Sequence, residues 1–276
     1  MGNGPEEYAI ALYITYNPFS ENIEILKPQN RINRYDLSFN YIDEREIHID
    51  FQGSMMYKYF PISESEYVCI PPAFNQNYNE LYFYNWKEGK VVKKMCLDDI
   101  YGTLTQTSDP IRHTNSAYYF NPALLTYTGY LIDVEKQDLE PVVRLNFGKK
   151  KITIDKTKFK TMEESRDYLA RSNYPIPTLN LFNDQHIVCT IYKNVELYTF
   201  FYNIKTKQQY LLKEITKDRY KIPLFHTIES NVLYITLTPD VISEYIDSDL
   251  LSDEDKEKLS RVKEDDNSII VKYYLK

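Results

Sequence analysis

Glycine is scarce. Seven glycines in 276 residues leave little room for phosphate cradles, dinucleotide turns or nucleophile elbows, and none of those motifs occurs. Cysteine is rarer still, with Cys69, Cys96 and Cys189 the only three. An odd number without zinc-like spacing is neither a disulfide framework nor a metal knuckle. Each of the three has apolar neighbours, as a buried free thiol would. No apolar run approaches the ~18 residues of a membrane span. No signal-peptide pattern opens the sequence, and Glu6 stands where N-myristoylation prefers Ser or Thr. Positive charge is also short: 33 bases face 40 acids, for a net charge of −7. That balance argues against a nucleic-acid partner, which would need a basic face. One basic cluster exists, at Lys149, Lys150, Lys151, Lys156, Lys158 and Lys160. It reads as a solvated loop and strand edge, where lysines block unwanted pairing.

What is abundant is tyrosine, 27 residues of it. Tyr suits strands and half-buried positions, where the ring packs and the hydroxyl reaches water. A sugar-stacking surface would use the same residue, but sheet packing accounts for it more simply. The hydrophobic fraction of 43% with 26% charged residues is an ordinary globular balance.

The pattern that organises the chain is clearest over 22–50. Asn22-Ile-Glu-Ile-Leu-Lys alternates, Pro28-Gln-Asn breaks, and Arg31-Ile-Asn-Arg-Tyr-Asp alternates again; Leu37-Ser-Phe-Asn then turns into a further strand. Strands are predicted in groups of four: 8–16, 22–27, 32–36 and 41–49; 55–61, 66–70, 81–86 and 91–97; 117–120, 124–128, 130–135 and 141–147; 176–182, 186–192, 196–204 and 209–215. A fifth group has only three, at 224–228, 232–237 and 269–275. Four-stranded units recurring every ~40–50 residues are the signature of a β-propeller. The expected fold is therefore all-β, a single propeller domain over 1–276 with about five blades.

Two helical insertions are expected, at about 161–172 and 239–263. Thr161-Met-Glu-Glu164 is a capping box, Thr238-Pro239 places Pro at a first helical position, and Ser252-Asp-Glu-Asp255 caps a further helix. The acids Asp247, Asp249, Asp253, Glu254 and Asp255 lack the order of a calcium loop, and acids at a helix start are stabilising by themselves.

Gly2-Asn-Gly4-Pro5-Glu-Glu7-Tyr8 resembles the Gly-x-Gly-Pro-x-Glu-Tyr motif of a largely uncharacterised family of six-bladed β-propellers from Bacteroides-type bacteria. Ile32-Asn-Arg-Tyr-Asp, Arg144-Leu-Asn-Phe-Gly148 and the stretch Glu264-Asp-Asp-Asn267-Ser-Ile-Ile-Val-Lys-Tyr-Tyr-Leu-Lys276 are similar to it as well. The resemblance implies a lipoprotein-like protein of the periplasm or cell surface. It also implies a first blade ahead of the motif, so that this chain lacks one blade and the closing strand. Open edges are then expected beside the first meander and beside 269–275.

Propeller ligands sit where the first strands of the blades converge, which points to Tyr13, Tyr57, Tyr118 and His226, with Arg112 and His113 on the loop before 117–120. Converging Arg112, His113, Tyr118 and His226 could bind a carboxylate or a sugar; the bland alternative is packed, hydrogen-bonded histidines. Propeller lactonases hold a channel metal with several oxygen ligands, whereas these strands offer mainly Glu229 and Asn180. The expectation is a non-enzymatic binding module for a glycan, peptide or protein, with no metal and no cofactor. The alternatives are a channel-centred hydrolase or lyase using His113 or His226, and a truncated product without function.

Overall fold

The computed structural model describes residues 10–51, 55–56, 58–71, 80–96, 111–114, 117–121, 127–150, 164, 167–168, 171, 173–194, 196–213 and 221–275. These form five antiparallel sheets in which every strand pairs with its neighbour in sequence. The first holds β1 (Tyr13–Asn17), β2 (Asn22–Lys27), β3 (Arg31–Tyr35) and β4 (Tyr41–Glu46); the second holds β5 (Lys58–Pro61), β6 (Glu66–Ile70), β7 (Glu80–Asn85) and β8 (Lys90–Cys96). The third holds β9 (Ile111–Thr114), β10 (Ala117–Phe120), β11 (Thr128–Asp133) and β12 (Asp138–Arg144). The fourth is β13 (Ile176–Phe182), β14 (His186–Lys193), β15 (Glu196–Asn203) and β16 (Gln209–Lys213). The fifth has three strands among the described residues, β17 (Thr227–Glu229), β18 (Val232–Leu237) and β19 (Ile269–Tyr274). Such meanders are the blades of a β-propeller, the class that the sequence pattern predicts.

The third blade differs in detail from its prediction. Its first strand is β9, carrying Arg112 and His113, and not a loop before 117–120. Thr114 pairs with Ala117, so only Asn115 and Ser116 separate the two strands. Ile111-Arg-His-Thr hides its strand character because the residue it buries beside Ile111 is an arginine. The predicted strand at 124–128 falls largely outside the described residues, and β11 begins at its last position.

The chain divides into two compact units, Met1–Thr105 with Ile132–Glu140, and Gln106–Leu131 with Pro141–Lys276. In the first unit, turn chemistry sets the meander. Asp36 Oδ1 accepts from the backbone N–H groups of Ser38 and Asn40, both at 2.8 Å, which folds the Leu37–Asn40 corner as an Asx turn. Gly89 turns β7 into β8 with φ of +65°, a region that costs other residues strain. Leu26 and Ile32 of the first sheet pack with Tyr59, Tyr67, Cys69, Tyr82 and Tyr84 of the second. The rings meet edge to face, as Tyr59 and Tyr67 do at 5.2 Å between centroids. Fully burying a large apolar side chain contributes about 1.5–3 kcal/mol, so this tyrosine layer is core rather than display.

Inside that core lies one carboxylate. Glu24 of β2 is fully buried. Its Oε1 accepts from Asn17 Nδ2 at 2.8 Å and from the Tyr67 hydroxyl at 3.0 Å, and it lies 3.6 Å from Arg45 Nη1. Oε2 has no partner, and the neighbouring Tyr59 hydroxyl is buried without one too. Burial pushes the Glu24 carboxyl above its ordinary value of 4.5, outweighing the opposing pull of Asn17, Arg45 and Tyr67. Arg45 donates to the Tyr67 hydroxyl and lies over the Trp86 ring, 3.5 Å from its centroid.

In the second unit, Leu181 and Val188 of the fourth sheet pack with Ile228 and Leu233 of the fifth and with Phe225 just before it, flanked by Phe201, Tyr273 and Leu275. Gly129 of β11 is pressed by the Phe182 ring: a Cβ there would lie 2.3 Å from a ring carbon. The later insertion, expected over 239–263, holds short helical pieces. A 3₁₀ turn over Pro239–Val241 runs into the helix Ile242–Tyr245, and Ser252 caps the helix Asp253–Ser260 by accepting from Asp255 N. Ile242 and Leu259 pack on Ile235, Leu237 and Ile269 of the fifth sheet. Of the earlier insertion, Glu164, Asp167, Tyr168 and Arg171 are helical, while Thr161, Met162 and Glu163 of the capping box and Lys151, Lys156, Lys158 and Lys160 lie outside the described residues. Cys69 and Cys189 are free and fully buried, and burial pushes both thiols up; Cys96 ends β8.

Candidate functional site

In the second unit the first strands of three sheets come together, with β17 approaching both β9 and β13. Arg112 makes the join. Its guanidinium is 8% exposed and donates to the backbone carbonyl of His226 from Nε at 3.3 Å and from Nη2 at 3.0 Å. A cation held this way is a structural bolt, and Arg112 is not a free anion receptor. His113 points to the other face of β9 and is exposed. Directly across the ladder from it is Tyr118, and the two rings stack 4.5 Å apart with 27° between their planes. The Tyr118 hydroxyl is buried with no partner, and burial pushes its pKa up to about 12. Thr114 Oγ1 is a second buried oxygen without a partner on the same short hairpin. His226 itself is exposed just before β17.

Of the predicted residues, the structure thus pairs His113 with Tyr118 and Arg112 with the His226 backbone. Tyr13, on β1 in the first unit, packs against Tyr59 and Phe60 and under the Lys58 ammonium, the behaviour of a core-edge residue. Tyr57 lies outside the described residues. Glu229 is exposed at the end of β17 and accepts from the Tyr234 hydroxyl at 3.4 Å. Asn180 sits on β13. Among the described residues no cluster of three or more His, Cys, Asp or Glu side chains could hold a metal ion. No helix among them is long and apolar enough to cross a membrane.

Sequence reasoning missed a second feature of the same unit, a cleft of about 390 Å³ on one face of the fourth sheet. Asn183 Oδ1 accepts from Gln185 N and His186 N, which fixes His186 at the start of β14. Asn203 uses the same turn chemistry, accepting from Lys205 N and Thr206 N, and brings its Nδ2 to 3.2 Å from His186 Nε2. His186 is 6% exposed, and its Nδ1 is buried without a partner. The signal was present in the repeated Asn-x-x-His and Asn-x-x-Thr turns, but a turn asparagine is common wherever strands reverse.

A family model described as a domain of unknown function, DUF4934, matches residues 1–274. The chain belongs to the DUF4934 family. No curated protein is similar to this member. Among solved structures it is similar to the crystal structure of a "Putative exported protein" from Bacteroides fragilis NCTC 9343. That match has a TM-score of 0.73 and 14% identity, over 100% of this chain and 80% of the other. The likeness confirms the propeller fold. Weaker matches are the hydrazine synthase of Kuenenia stuttgartiensis, with a TM-score of 0.43 and 9% identity over 85% of this chain and 56% of that one. BamB from Moraxella catarrhalis follows, with a TM-score of 0.41 and 9% identity over 72% of this chain and 51% of that one. The Gly2–Tyr8 motif lies outside the described residues.

Proposed function

We propose that this DUF4934 protein is a non-catalytic binding module of the bacterial cell envelope, periplasmic or at the cell surface. Its ligand is a glycan, peptide or protein received at the first strands of the second unit. The observation that carries the reading is the exposed His113 ring stacked on Tyr118, whose hydroxyl is buried and partnerless. An exposed imidazole backed by a stacked phenol ring suits stacking against a sugar or amide face. Arg112 serves as a positioning residue that ties the His226 carbonyl to the His113 strand. The likeness to the exported Bacteroides protein supports the envelope location.

The test is an array of peptidoglycan fragments, envelope polysaccharides and envelope-protein peptides probed with labelled protein, H113A and H226A. One ligand class should be retained by the parent and lost at least tenfold in H113A, with an unchanged unfolding midpoint because the residue is exposed. Retention by H113A would overturn the assignment of the site. A calcium and zinc titration accompanies it, and tight one-to-one binding of either ion would overturn the non-catalytic reading in favour of a channel-centred hydrolase.

A further inference from the structure

The core of the first unit holds a carboxyl and a guanidinium that are close without being bonded. Glu24 lies at its centre, paired across the ladder with Thr15 of β1 and Arg34 of β3. Arg45 of β4 lies nearer the edge, its side chain 11% exposed, and two neighbours compete for its charge. One is the Trp86 ring, whose centroid is 3.5 Å from Cζ. The other is Glu24 Oε1, 3.6 Å from Nη1, which is too far for a hydrogen bond. Nη1 donates instead to the Tyr67 hydroxyl, which donates in turn to Glu24 Oε1 at 3.0 Å. Arg45 is thus seated on the indole and joined to the carboxyl only through Tyr67.

The other charged and titratable groups packed around Glu24 are settled. Arg34 of β3 is taken by Asp43 of β4, which accepts from its Nε at 2.6 Å and is held by that bond below its ordinary value. Lys58 of β5 places its ammonium over the Tyr13 ring of β1, 5.3 Å from the centroid. The hydroxyls of Tyr59 on β5 and Tyr67 on β6 are pushed up, by burial first and by the Glu24 charge next. Burial pushes up Cys69 of β6 and Tyr82 and Tyr84 of β7 as well. All of these keep their protons throughout the range in which a carboxyl titrates. Among the described residues, Glu24 is therefore the member of this core that changes charge between acid and neutral pH.

We propose that Glu24 and Arg45 form a pH-operated switch between the first and second sheets: with the carboxyl neutral, Arg45 rests on Trp86, and once the proton leaves for solvent, Arg45 turns inward and uncovers the indole face. A neutral carboxyl exerts no charge on the guanidinium, so the ring quadrupole and the Tyr67 hydroxyl are its better partners. A full negative charge 3.6 Å away in a dry site outweighs a ring quadrupole. Glu24 Oε2, buried without a partner among the described residues, offers a second acceptor, so the ionised pair can close as a two-bond fork. Burial raises the folded carboxyl above 4.5. The ring-seated form therefore belongs to the acid side of that raised value and the inward form to the basic side.

Trp86 is the only tryptophan of the chain, so its fluorescence reads the switch in the intact protein. Between about pH 4 and about pH 8, quenching of that fluorescence by acrylamide should rise roughly twofold in a single-proton step. The midpoint should lie above 4.5, with far-ultraviolet circular dichroism unchanged across it. E24Q should hold the low-quenching level at every pH, and R45M the high level. Nuclear magnetic resonance of the parent supplies a readout that needs no variant: the Glu24 Cδ and Trp86 indole N–H signals should titrate with one shared midpoint. A flat parent profile, a step that survives in E24Q or in R45M, or two separate midpoints would each overturn the proposal.

Discussion

Replacing Glu24 tests whether the buried carboxyl is neutral in the folded protein. Asn17 Nδ2 and the Tyr67 hydroxyl both donate to its Oε1 from buried positions. E24A orphans both donors, at about 1–3 kcal/mol each, and opens a cavity besides, so a loss of about 3–5 kcal/mol is expected. E24Q keeps an acceptor for both donors and changes only the atom that has no partner, Oε2. The two variants should therefore diverge by several kcal/mol in urea unfolding. The pH dependence is sharper. Burial raises the folded carboxyl above 4.5, so between the unfolded and folded values the folded state holds the extra proton. Stability then falls as pH rises through that window and stays lower above it. Parent stability should drop relative to E24Q by about 1.4 kcal/mol for each pH unit within the window. Urea curves from about pH 4 to about pH 8, read as the difference between parent and E24Q, measure this directly. Parallel stabilities across the series would show that Arg45 keeps Glu24 ionised and would refute the reasoning, as would an E24Q as damaged as E24A.

Three further substitutions probe the other unit. R112M leaves the His226 carbonyl without its charged donor and should cost about 2–3 kcal/mol in chemical denaturation; a loss below about 0.5 kcal/mol would show that the bolt is idle. G129A places a methyl group 2.3 Å from the Phe182 ring, an overpacking worth about 1–3 kcal/mol. The double variant G129A/F182L should recover part of that loss, and simple additivity would contradict the assignment of the clash. S252A removes the acceptor for Asp255 N and should destabilise the insertion by about 1 kcal/mol. Amide exchange is the appropriate readout, with faster exchange over 253–260 and unchanged exchange in β13 and β14.

The fold was legible because the strands announce themselves locally. Asn22–Lys27, Glu66–Ile70, Ile176–Phe182 and Val232–Leu237 match their predicted limits residue for residue, each rich in apolar residues and flanked on at least one side by Asn, Pro or Ser. Where a polar side chain is buried through tertiary contact, the pattern misleads. Arg112 made β9 look like a loop, because the carbonyl that receives its charge lies 114 residues away. Glu24 sits in a strand that reads as ordinary alternation, and nothing local says that Asn17, Arg45 and Tyr67 enclose it. The candidate site was half legible for the same reason. His113 and Tyr118 were chosen by their place near a first strand, but their stacking depends on a hairpin register that composition does not reveal. The cleft on the fourth sheet depends on how side chains of β14, β15 and β16 stand together, which composition does not reveal.

The Arg112 bolt also bears on the order in which the chain folds. Every sheet is a meander whose strands are sequence neighbours, so each blade can form on local contacts with little loop closure. The Arg112–His226 bond spans 114 residues, for which the length-dependent part of the closure entropy alone is about 4 kcal/mol in an unfolded chain. That cost shrinks once the intervening fourth sheet has formed and shortened the effective loop. The bolt is therefore expected to form late, so that R112M should speed unfolding and leave the folding rate nearly unchanged in stopped-flow measurements.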